Sequence, residues 1–101
     1  MESSARYAET LFAAADAFDG MANGNYPDQI HAIAAMFALR ALLAEGRFKQ
    51  DIVVGERGLA ILADGGTLNL DARGRERADE IAKTVRLEAF QASQTDRLFD
   101  S

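Results

Sequence analysis

The sequence predicts a mainly α-helical single domain, with three main helices and a small β-hairpin. Three observations lead there. Apolar residues recur at spacings of three and four in the first and last thirds of the chain, turn residues gather between the apolar stretches, and a short alternating stretch follows Asp64-Gly65-Gly66. The 101 residues suit one domain, and with 49% of them hydrophobic and a single Pro, neither disorder nor a linker is expected. Residues 1–101 are therefore read as one small domain, with about 92–101 expected to fray as a polar tail.

The first helix is expected over residues 4–18, where Ala8, Leu11, Phe12, Ala15 and Phe18 share one face and Arg6, Glu9 and Asp16 the other. It should stop in the run from Gly20 to Pro27, which is rich in turn residues. Pro27 suits the first turn of the second helix, which runs to about Glu45 with Gly46 as its cap. From Ile30 to Ala44 only His31 and Arg40 are polar, so this helix is expected to be buried on all sides. It is too short for a membrane span, which needs about 20 apolar residues. In so small a chain its neighbours are few, so a self-association face is the functional alternative to a plain core helix, on Leu11, Phe12, Ile33, Met36, Phe37 and Leu39.

Residues 47–61 stay open between two readings. Ile52, Val53 and Val54 favour a short strand, whereas ERGLAILADGG also suits a brief helix ending at Gly65 or Gly66. Asp64-Gly65-Gly66 fits a tight β-turn, with GLAIL and TLNL as the strands of a hairpin. The last helix is capped by Asp71, and its buried stripe is Ala78, Ile81, Ala82, Val85 and Ala89.

The chain has no Cys, which excludes disulfides, thiolate catalysis and the common structural zinc sites, and His31 is its one imidazole. Asp19 and Gly24 are spaced as in a calcium loop, but Met21 and Ile30 stand where oxygen ligands are needed. Gly65, Gly66 and Gly74 are too far apart for a phosphate loop and no Lys follows them. Asp79 and Glu80 lie on a charged helix face where carboxylates are solvated. No catalytic, cofactor-binding or metal-binding residue is therefore expected, and no cofactor. MESSARYAET does not read as a secretory signal, so a cytoplasmic location is the expectation.

The net charge of −5 is unevenly spread, with one Arg against five carboxylates before Arg40 and a near balance from Arg40 to Arg86. A nucleic-acid surface needs concentrated positive charge, so only the middle of the chain offers one. GLAILADGGTLNLDARGRERADEI resembles the wing of winged-helix transcription regulators of the MarR and PadR kind. There a hairpin leads through a Leu-Thr-x-x-Gly-Arg signature into a C-terminal helix. The matching positions are Leu70, Asp71, Ala72, Arg73, Gly74 and Arg75, with Asp71 in the capping role of the Thr, and the match covers about a quarter of the chain. The resemblance implies a winged-helix-like fold and a dimer paired through the first and last helices.

Three functional expectations follow. The first is a small non-enzymatic regulatory or adaptor protein that binds another protein, as a homodimer. The second is a DNA-binding winged-helix regulator using Arg47, Lys49, Arg57, Arg73, Arg75 and Arg77; it ranks lower because Gly46 to Gly58 leaves little room for a recognition helix. The third is an acidic inhibitor that presents Glu2, Glu9, Asp16, Asp19 and Asp28 to a basic groove of its partner. No membrane partner is expected.

Overall fold

The structure, a computed structural model, describes residues 2–46 and 50–100, with side chains over 7–46 and 52–94. It contains four helices: α1 (Glu2–Ala22), α2 (Gln29–Ala44), α3 (Gln50–Ala63) and α4 (Ala72–Asp100). Successive helices run antiparallel, and each packs on the next around the bundle, with α4 closing back onto α1 along most of its length. At 29 residues α4 spans about 43 Å at 1.5 Å per residue. The longest dimension of the molecule is 45 Å, so this helix sets it.

The α4 face is the one the periodicity predicts, and the α1 face differs from its expected one in that Phe12 is only half-buried while Ala14 and Met21 join the buried set. Ala8, Leu11, Ala14, Ala15, Phe18 and Met21 are buried on α1, against Ala78, Ile81, Ala82, Val85 and Ala89 on α4. So many alanines let two helix backbones approach closely, while Leu11, Phe18 and Val85 supply the volume that excludes water. At the margin of this pair Arg86 donates to Asp16 Oδ1 at 3.2 Å and also to Asp19, tying α4 to α1. The hydrogen bond to Asp19 is the main reason the guanidinium holds its proton more firmly than usual. α4 continues as helix to Asp100, through the segment expected to fray.

The expected hairpin is absent: there is no strand among the described residues. GLAIL forms the last turns of α3, and TLNL runs between helices without strand pairing. Asp64-Gly65-Gly66 ends the helix instead of joining strands. Gly65 takes φ +83, its N–H donates to Leu62 O at 3.1 Å, and Gly66 N–H donates to Ile61 O at 2.9 Å. This paired 5→2 and 6→1 closure satisfies carbonyls at a helix end. A tight β-turn and a helix terminus both need a residue with positive φ, so the tripeptide fits either. What decided between them is α3 itself, where Ile52, Leu59 and Leu62 lie on one buried helical face. α1 ends the same way at Gly24, and Asp28 rather than Pro27 begins α2.

Asp71 caps α4 as expected, accepting from Gly74 N–H at 2.8 Å. Two further bonds close this end of the bundle. Gln29 Nε2 donates to Ala63 O at 2.9 Å, and Leu70 N–H donates to the Tyr26 hydroxyl at 2.9 Å. The 64–71 connection is thereby fastened to the loop that enters α2.

Two outcomes test these caps. Gly65→Ala forces an L side chain into the left-handed region and is expected to destabilise the protein by about 1–2 kcal/mol in urea denaturation. At Asp28, the backbone N–H and ring of His31 hold the carboxyl below its ordinary value. A lowered folded-state value means that this stabilisation is present above about pH 4 and is lost as pH falls through that value. The stability difference between the wild-type chain and Asp28→Asn should thus shrink as the pH falls below about 4.

Candidate functional site

α2 carries more apolar surface than the bundle can cover. Its inner face, Ala32, Ala35, Met36, Ala38, Leu39 and Leu42, is buried. Its outer face is not, which corrects the expectation of a helix buried on every side. Ile30 is 77% exposed, Phe37 59% and Ile33 36%, and Ala34, Ala41 and Ala44 are exposed beside them. Ile30, Ala34, Phe37, Ala41 and Ala44 follow one another at spacings of four, three, four and three, the repeat that keeps a stripe facing a partner helix.

The position of Phe37 is set from α3. Arg40 lies over its ring, 5.8 Å from the centroid, and Arg40 Nε donates to Glu56 Oε1 at 2.8 Å. Glu56 is partly buried, so this bond anchors the charge over the aromatic face of Phe37, which stays exposed.

Of the residues expected to form a self-association face, Ile33 and Phe37 lie on this stripe. Leu11 and Leu39 are fully enclosed in the core, and Met36 is buried with them, so these three face inward. Phe12 is half-buried, edge-on to Phe90 with ring centroids 5.4 Å apart, on the α1–α4 side. Ile30 was missed. In a helix apolar at nearly every position, periodicity does not distinguish inside from outside, and the spacing of Ile30 from Phe37 was the one signal available.

A second feature lies between α3 and α4, which touch only lightly. A cleft of about 320 Å³ opens there, floored by Phe18 and Met21 of α1 and closed at one end by Leu68 and Leu70. Its walls are almost wholly apolar, with Arg57 and Arg77 among the lining residues. Arg73 and Arg77 share an adjoining shallow depression with Asp71 and Gly74. Arg75 lies elsewhere, against Gly24 and in a depression with Asn23, Glu76 and Asp79. Arg47 and Lys49 lie outside the described residues. Three of the expected DNA-contacting cations therefore converge, and Arg75 does not join them. Without a hairpin there is no wing to present them.

The carboxylates of the acidic-inhibitor reading are dispersed. Asp16 and Asp19 hold Arg86, and Asp28 caps α2, while the side chain of Glu2 lies outside the described residues. Among the described residues no group of three or more Asp, Glu or His side chains is arranged to hold a metal ion, and no helix is long and apolar enough to cross a membrane. Compared with known proteins, the chain matches no family model, no curated protein and no solved structure.

Proposed function

We propose that this protein is a small non-enzymatic protein-binding module, regulatory or adaptor in kind, that self-associates through the outer face of α2. The observation that carries this reading is the exposed stripe of Ile30, Ile33, Ala34, Phe37, Ala41 and Ala44. Exposed apolar residues scattered singly need no explanation, but a row of them at coiled-coil spacing along one helix does.

The stripe is also complementary to itself. In a two-fold pair with antiparallel α2 helices crossing at Phe37, residues equidistant from Phe37 on either side oppose one another. Ile30 then meets the partner's Ala44, and Ile33 meets the partner's Ala41. Away from the crossing, large side chains thus face small ones, and at the crossing the two Phe37 rings meet each other. Antiparallel helix dipoles add a smaller favourable term.

Equilibrium sedimentation tests this. The wild-type chain is expected at twice the monomer mass, and Phe37→Glu at the monomer mass with unchanged helicity, its self-dissociation constant raised about 30-fold or more. Leu87→Glu, on an exposed position of α4, should leave the dimer intact. A monomeric wild-type chain, or a Phe37→Glu variant that stays dimeric, refutes the assignment.

A further inference from the structure

The cleft between α3 and α4 has the form of a small-molecule site, and it lies apart from the stripe on α2. Its origin is in the sequence. α3 presents Gly55 and Gly58 to the cleft and α4 presents Gly74 and Ala78, and at these positions no side chain fills the space that Val54, Ile61 and Ile81 border. The two glycines on α3 differ in their surroundings. A Cβ at Gly55 would stand 3.0 Å from both the Phe18 ring and Ile81 Cδ1, so that position is needed for packing. A Cβ at Gly58 would meet only Leu68 Cδ2, at an ordinary 3.6 Å. Gly58 is thus not needed for packing, although glycine inside a helix costs roughly 0.5–1 kcal/mol relative to alanine. Its effect is to keep the cleft open.

At about 320 Å³ the cleft sits at the small end of the range of ligand pockets, roughly 300–1,000 Å³. Apolar walls with few polar groups are the usual composition of such sites, the polar groups fixing orientation. Here the charged groups in the lining are Arg57 and Arg77, one from each helix, and both are cations. Arg57 is exposed and forms no hydrogen bond or ion pair within the fold among the described residues. A guanidinium presents a planar fork of donors that matches a carboxylate.

We propose that the cleft binds a small amphipathic carboxylate, a medium-chain fatty acid in chemical type, with its alkyl chain along Gly58 and Ala78 and its head group at Arg57 and Arg77. Apolar walls select the chain, and the two arginines of the lining, Arg57 foremost, select the negative charge over a neutral or positive head.

Calorimetric titration of the 101-residue chain with octanoate, 1-octanol and octyltrimethylammonium tests the site, with methyl chemical shifts of Leu68 and Ile81 as a second readout. Octanoate is expected to bind one per chain, about tenfold more tightly than 1-octanol, with the cation weakest. Arg57→Gln, at an exposed position where folding is undisturbed, should bring octanoate close to the affinity of 1-octanol while leaving 1-octanol unchanged. Gly58→Leu fills the cleft and, where circular dichroism shows it folded, should abolish binding of both. The proposal fails if octanoate binds no better than the cation, if Arg57→Gln keeps the preference for the anion, or if folded Gly58→Leu still binds. Failure of the α2 dimer leaves these outcomes unaffected, because no residue of α2 lines the cleft.

Discussion

The contact of Phe18 with Gly55 governs the spacing of the helices. Phe18 is fully buried on α1, and its ring reaches across the bundle to Gly55, one of two positions on α3 where the backbone carries no side chain. Ile81 of α4 closes on the same point. Three helices therefore meet around one ring, and a methyl group at Gly55 is enough to press on two of its neighbours. The consequence reaches the surface. α3 lies diagonally across the bundle from α1 and is reached by the Phe18 ring, while Gly55 and Gly58 of α3 and Gly74 and Ala78 of α4 leave space between those two helices, and Phe18 and Met21 become its floor.

A similar logic explains why α2 keeps its outer face bare. A helix in a four-helix bundle buries one stripe and exposes the rest. α2 meets that geometry with Ala32, Ala35, Met36, Ala38, Leu39 and Leu42, yet its remaining positions are mostly apolar as well. α1 and α4 carry charge on their outer faces and join one another through Arg86, Asp16 and Asp19. The distinction within one molecule gives the α2 stripe its meaning: α4 exposes Leu87 and Phe90 on a helix otherwise rich in charge, whereas α2 exposes an apolar row along its length and anchors Phe37 beneath Arg40.

The two surfaces also differ in what they would recognise. The stripe on α2 is shallow and repeats along a helix, so it suits another helix. The cleft is concave, narrow and lined by two cations, so it suits a small anionic molecule with an apolar body. They are built by different helices, and the bundle between them is a packed core with no buried polar or charged residue among those described.

Much of the fold was legible in the residues because its signals are local. The buried stripe of α4 and most of that of α1 emerged from spacing alone, since their outer faces are polar and the period is clear. The cap at Asp71 and the helix end at Gly46 were legible for the same reason: each is made by bonds spanning only a few residues. Where several structures share one local requirement, the sequence was silent. Asp64-Gly65-Gly66 meets the positive-φ demand of a β-turn and of a helix terminus equally, and only the burial of Ile52, Leu59 and Leu62 against the bundle made GLAIL helical. The inner face of α2 was likewise settled by its neighbours, because a helix apolar on every side carries no periodic mark of which side turns inward. The presence of Arg57 and Arg77 in one lining came from neither composition nor spacing: they stand on different helices, and the packing of α3 and α4 around Phe18 brings them to one cleft.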